Sequence, residues 1–185
     1  MSIAFINTPE FHQQLFNIDQ ATANIAQESG CQYCDGRLHK ANYPRIGFGV
    51  SAKQAPLYSS RFSFCCASCR RRHTPPSVRF FGRRRYIAMI FILLSALRFS
   101  PSESRCVRLA NRFGLCISLV TWKRWLAWWR FDFPLADLWV DLKAHFKLSP
   151  QSTARTLLKQ LSSHTLSAKL QQALVLLSPL KHHIT

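Results

Sequence analysis

Two Cys-x-x-Cys pairs, Cys31/Cys34 and Cys66/Cys69, bracket an arginine-rich stretch of chain, and no other feature restricts the fold as narrowly. Each pair can close a tight turn on one tetrahedral ion, while the segment between them has length enough to run out and back as a short antiparallel hairpin. The spacing therefore predicts a zinc ribbon, with one structural Zn2+ on Cys31, Cys34, Cys66 and Cys69. Cys65 and Cys66 are adjacent, so either can complete the second pair. Cys66 keeps the two-residue spacing, which turns Cys65 to the opposite strand face as a small apolar side chain. His39 and His73 lie close enough to replace a cysteine, although phosphate contact or plain exposure suits them better. Gly36, two positions after the second ligand, is expected at positive φ, turning backbone amides toward sulfur. A redox pair of thioredoxin type would open a helix in a βαβ unit, and nothing upstream of Cys31 reads as the required strand. Four thiolates also leave no open coordination position, so hydrolysis at the ion is not expected.

Charge points to the kind of partner. The chain carries 25 Lys and Arg against 8 Asp and Glu, a formal +17, far more than solubility needs. Twelve of the basic side chains fall between Arg37 and Arg85 with no acidic residue among them. Such a surface implies a polyanion, with nucleic acid first and anionic lipid second. Phosphate contacts are expected from Lys40, Arg45, Arg61, Arg70, Arg71, Arg72, Arg79, Arg83, Arg84 and Arg85. DNA is preferred to RNA. The RNA or ribosome alternative would stack unpaired bases on Tyr33, Tyr43, Phe62 and Phe64.

Nothing in the chain reads as catalytic machinery. There is no glycine-rich phosphate loop and no Ser/His/Asp order, and no small-molecule substrate is implied. Asp132, Asp137 and Asp141 cluster after the tryptophans, but their spacing suits an exposed helical face better than a metal cage. Seven cysteines, an odd number with knuckle spacing, fit metal ligation in a reducing compartment better than a disulfide framework. The first thirty residues also lack a basic head followed by a continuous apolar run, so a cytoplasmic location is expected.

The pattern along the chain is α+β, a small ribbon followed by a mainly helical region. Residues 1–29 read as a polar, partly ordered leader with modest helical signal over 16–25, and residues 30–76 as the ribbon. Within the ribbon, 42–58 reads as a loop and 61–65 as the best strand. Residues 77–148 are the helical region and 149–185 a C-terminal helical hairpin with leucine stripes at 157, 158, 161 and at 166, 170, 174, 177. The apolar run 86–97 is shorter than the roughly twenty residues a bilayer needs, so a buried helix is expected. A membrane-surface or partner-docking role for that run and the tryptophans is the rival. Trp122, Trp125, Trp128, Trp129 and Trp139 read as core or interface anchors rather than a cofactor box. Residues 106–125 fit either a helix-turn-helix or a plain helical hairpin. In the former, Leu115 and Val120 pack inside while Ile117, Ser118, Thr121 and Trp122 face the groove, with Lys123 and Arg124 beside them as nucleic-acid contacts.

The runs C-x-x-C-x-G-R-L-H-x-A-N-Y-P-R, from Cys31, and R-F-S-F-C-C-x-x-C-R-R-R-x-T-P-P-S-V-R-F-x-G-R-R-x-Y, from Arg61, resemble a group of uncharacterised bacterial zinc-ribbon proteins. The likeness extends more weakly through the tryptophan-rich helix and the C-terminal leucines. Residues 31–86 are also loosely similar to the zinc-ribbon region preceding the catalytic part of some insertion-sequence transposases. These resemblances imply a ribbon core and little more; the expected function, from spacing and charge together, is a non-enzymatic DNA-binding protein attached to a mobile element or acting as a regulator. A transposase active site needs three carboxylates on a ribonuclease-H-like sheet, and with eight acidic residues in all this chain offers no such set.

Overall fold

Phe11, Leu15, Asp19 and Ala23 recur at every fourth position, and all four are buried on helix α1 (Pro9–Glu28) of the computed structural model. The structure describes residues 8–81, 86–97, 100–149, 151–153, 156–157, 160–161 and 165–179. Proline in the first turn sets the helix entry, and Ser29 and Gly30, the latter at φ 75°, end it before the first cysteine. The expected partly ordered leader is therefore, over 9–28, a docked helix.

The ribbon is built from five short strands. β1 (Leu38–Lys40), β4 (Phe64–Cys66) and β5 (Arg72–His73) form an antiparallel sheet in the order β1-β4-β5, with Leu38 opposite Cys66, His39 opposite Cys65 and Phe64 opposite His73. β2 (Tyr43–Pro44) and β3 (Ser60–Arg61) make a second ladder, followed and preceded by loop and a 3-10 turn at Ala55–Tyr58. The strand expected over 61–65 is split at Phe62 and Ser63. There the Ser63 amide donates to Asn42 Oδ1 at 3.0 Å and the chain passes from one ladder to the other. Strand alternation puts Leu38, Phe64 and Cys66 on one face, against Ala23 and Cys31, and leaves His39, Cys65 and Arg72 on the other.

The helical body surrounds the apolar run. α2 (Ala88–Ile92) continues into a widened π-type turn (Leu93–Leu97), and every side chain from Ile87 to Leu94 is no more than 2% exposed. Around it lie α3 (Glu103–Phe113), α4 (Leu119–Phe131), a 3-10 turn (Phe133–Leu135), α5 (Asp137–His145) and α6 (Leu166–Leu177). A π-type turn disturbs the regular carbonyl pairing, and the buried indoles supply donors there. Trp122 Nε1 donates to the Leu94 carbonyl at 3.0 Å and Trp129 Nε1 to Ser95 Oγ at 2.6 Å. The tryptophans thus sit in the core, as their spacing led us to expect. α6, capped by Thr165, packs Leu170, Ala173, Leu174 and Leu177 inward and contacts α2. Much of the first expected C-terminal helix falls outside the described residues, although Leu157 and Leu161 are buried. Among the described residues no helix is long and apolar enough to cross a membrane.

α1 joins the two halves. Phe11 and Leu15 enter the core of the body, whereas Ala23 enters the small core of the ribbon. Between them Asp19 accepts hydrogen bonds from Arg79 Nε at 2.7 Å, the Val78 amide at 2.7 Å and Ser77 Oγ at 2.5 Å. The Arg79 guanidinium, 1% exposed, also donates to the Leu57 and Ser60 carbonyls and is ringed by Phe16, Phe62 and Phe80 at 4.8 to 5.1 Å. A buried pair this well hydrogen-bonded is costly to break, because the partner left behind is an uncompensated charge. Asp19→Ala is expected to lower stability by about 3–5 kcal/mol in urea unfolding, against less than about 0.5 kcal/mol for the exposed Asp132→Ala. Equal losses from the two variants would contradict this role.

Candidate metal centre

The two cysteine turns are the same structure. In the first, the Asp35 amide donates to the Cys31 carbonyl at 2.8 Å and the Cys31 amide to the Gly36 carbonyl at 3.0 Å. In the second, the Arg70 amide donates to the Cys66 carbonyl at 3.2 Å and the Cys66 amide to the Arg71 carbonyl at 3.0 Å. Positive φ falls on the residue after each second cysteine, Asp35 at 52° and Arg70 at 60°. This corrects the expectation for Gly36, which serves by its missing side chain instead. A Cβ there would lie 2.7 Å from Ser68 Oγ and 3.0 Å from Cys66 Sγ, so glycine lets the two turns approach each other.

That approach brings four sulfurs together. Cys31 Sγ is 3.5 Å from Cys69 Sγ, Cys34 Sγ is 3.5 Å from Cys66 Sγ, and all four lie within 4.8 Å of one another. A tetrahedral ion with metal–sulfur bonds of about 2.3 Å requires sulfur–sulfur edges of about 3.8 Å, inside this range. Four converging thiols are a donor set for a soft or borderline metal. Among the described residues this is the one cluster of His, Cys, Asp or Glu able to hold an ion, and Asp132, Asp137 and Asp141 stay exposed on or beside their helices.

The structure decides which adjacent cysteine belongs to the set. Cys66 is buried and points at Cys34, while Cys65 lies on the outer face and donates toward the Arg70 carbonyl at 3.5 Å. His39 is exposed on that outer face. His73 reaches Cys31 Sγ through Nε2 at 3.2 Å, a hydrogen-bonding partner to sulfur standing beside the four-sulfur set.

Electrostatics within the cluster differ from thiol to thiol. The Cys69 amide, helped by that of Ser68 and by neighbouring thiols, outweighs burial and pulls Cys66 down to about 6. The Arg71 amide pulls Cys69 down as well. Burial and hydrogen bonds from the thiols of Cys31, Cys34 and Cys66 outweigh it and push Cys69 up to about 12. Four negative sulfurs in so small a volume repel one another, a cost that a bound cation would relieve.

The basic residues divide into surface and framework. Lys40, Arg70, Arg71 and Arg72 are exposed around the cluster. Arg71 lies over the Tyr33 ring at 4.4 Å, and Tyr33 in turn leans on His73 at 5.5 Å. Arg72 donates to the Ala41 carbonyl at 2.9 Å and Arg45 is half-buried over Phe80. Arg61 and Arg79 correct the expected phosphate set. Arg61, 8% exposed, donates to the Pro75 and Phe80 carbonyls, and burial holds its pKa below the usual value. Arg79 is the partner of Asp19. Neither guanidinium can reach a phosphate without unfolding its surroundings. Arg83, Arg84 and Arg85 lie outside the described residues.

The expected groove-facing register at 106–125 is also corrected. Ile117 and Trp122 are buried at 4% and 2%, whereas Val120 is 59% exposed. Trp122, Trp125, Trp128 and Trp129 are the buried face of α4, and Lys123, Arg124 and Arg130 stand on the exposed side, which sets the way the helix rolls. Ser118 caps α4, accepting from the Thr121 amide at 3.1 Å and donating to Thr121 Oγ1 at 2.9 Å, so these hydroxyls are engaged with each other. Lys123 and Arg124 remain exposed. The first part of the 106–125 stretch lies on α3, whose exposed positions include Arg108 and Arg112, two residues outside the expected contact set. The signal was present as arginines spaced by three and four residues.

Comparison with protein-family models, curated proteins and solved structures finds no match to this chain. Cobalt titration tests the ligand assignment, since thiolate coordination gives an intense sulfur-to-metal absorption band. Cys66→Ser should weaken binding by more than about 100-fold and diminish the band, whereas Cys65→Ser should leave both within about threefold. The reverse pattern would place the wrong cysteine in the set.

Proposed function

We propose that this chain is a non-enzymatic DNA-binding protein in which one structural Zn2+ on Cys31, Cys34, Cys66 and Cys69 fixes a basic ribbon against a helical body. The observation that carries the reading is the convergence of four sulfurs in a ribbon whose chain from 37 to 85 is basic without a carboxylate, with Arg70, Arg71 and Arg72 exposed directly after the last cysteine. A tetrathiolate zinc site bears a net charge of about −2, which the nearby arginines offset while their outer faces stay open to phosphate. The chain from 37 to 85 holds no carboxylate of its own, and Asp19 is taken up by the buried Arg79.

Duplex DNA is favoured over single-stranded RNA by the fate of the aromatic residues. Phe64 is 2% exposed and Phe62 rests on Phe16, so two of the four aromatic residues that RNA would stack on are spent in the fold, leaving Tyr33 and Tyr43 beneath Arg71 and Arg72. The membrane-surface rival loses its main support, because the apolar run is buried inside the body. The protein acts in the cytoplasm, attached to a mobile element or as a regulator, a reading to which the loose likeness to transposase zinc-ribbon regions lends the ribbon core and little more.

Binding should follow counterion release. With six or more basic contacts, affinity for a duplex should fall by about 1,000-fold or more between 50 and 200 mM salt. Fluorescence anisotropy with duplex DNA and single-stranded RNA of equal length measures this. Salt-insensitive binding, or preference for the single strand, would overturn the proposal.

A further inference from the structure

We infer that α3, not the helix after it, is the element that enters the major groove of duplex DNA, with Arg108 and Asn111 reading base edges and Arg112 contacting the adjoining backbone. The inference rests on the DNA-binding reading above and adds the face that carries sequence selectivity. Of the eleven residues of α3 only Leu109 is fully buried, with Arg105, Cys106, Ala110 and Phe113 half-buried beside it. The opposite stripe, Ser104, Val107, Arg108, Asn111 and Arg112, is exposed at the three- and four-residue spacing of one helix face.

The chemistry of that stripe is that of direct readout. Arginine can bond guanine O6 and N7 together, asparagine can bond adenine N6 and N7, and an exposed aliphatic group can meet the thymine methyl. Val107, 58% exposed, is such a group. Arg108 and Arg112 repel each other at four-residue spacing, a modest cost that an exposed helix usually relieves with a carboxylate. Here the one acidic residue of α3 is Glu103, at its start, away from both arginines. A polyanion supplies the missing charge. The end of the helix is also open, since a Cβ on Gly114, at φ 64°, would meet nothing within 4 Å.

The neighbouring helices fit the role less well. α4 spends one face on Trp122, Trp125, Trp128 and Trp129 and closes its first turn with Ser118 and Thr121. Its exposed Lys123 and Arg124 suit phosphate contact, while α5 presents Asp137 and Asp141, which repel it.

The test is selection from a random-sequence duplex DNA library by the full-length zinc-loaded protein. The unsubstituted chain should enrich a defined motif. The Arg108→Ala/Asn111→Ala variant should lose about 10- to 100-fold in preference for that motif over random duplex, while zinc content and thermal unfolding stay unchanged. Arg70→Ala/Arg71→Ala should instead weaken binding to all duplexes alike. Equal enrichment by the α3 variant and the unsubstituted chain would overturn the inference and leave the DNA-binding reading standing, as would duplex binding without any motif. Failure of the unsubstituted chain to bind duplex DNA would remove that reading, and this inference with it.

Discussion

Closure of two cysteine turns on one point, between residues 32 and 38 positions apart, is the constraint from which the ribbon takes its shape. Bringing the ends of such a loop together costs about 3 kcal/mol in chain entropy, with a further cost for ordering the strands. The apolar core of the ribbon consists of Ala23, Cys31, Leu38, Phe64 and Cys66, two of which are themselves candidate ligands. So small a core cannot offset that ordering. Zinc on four such sulfurs would contribute about 10–16 kcal/mol, enough to decide whether the ribbon folds. The matched turns, with positive φ at Asp35 and Arg70 and no side chain at Gly36, are the backbone form of that requirement.

A metal-closed ribbon on a tether would hold no fixed orientation toward a partner. α1 removes that freedom by placing Phe11 and Leu15 in the body and Ala23 in the ribbon, with Asp19 locked to Arg79 between them. Basic surface on the ribbon and the exposed stripe of α3 therefore belong to one framework. That is the condition under which backbone contacts at one place can set the register of base contacts at another.

How much of this was legible follows from the kind of signal each feature leaves. Cysteine spacing is read directly, and strand alternation separates Cys66 from Cys65, so the four converging sulfurs were foreseen. Apolar length and tryptophan spacing likewise identified the buried run and its anchors. α1 is legible only in part, over 16–25, because its buried stripe contains His12 and Asp19, which make a core-facing helix look polar. Arg61 and Arg79 were misjudged for the matching reason: composition counts a charge without revealing that a carboxylate or carbonyls wait for it in the fold. The roll of α4 depended on the relative strength of two apolar faces. That is a tertiary competition, and a local motif does not contain it.

The most direct test of a metal-closed ribbon is X-ray absorption at the zinc edge on the purified full-length protein. Four sulfur scatterers at about 2.3 Å, with one zinc per chain, are predicted. A shell containing two or more nitrogen or oxygen scatterers, or a folded protein that carries no metal, would contradict the account.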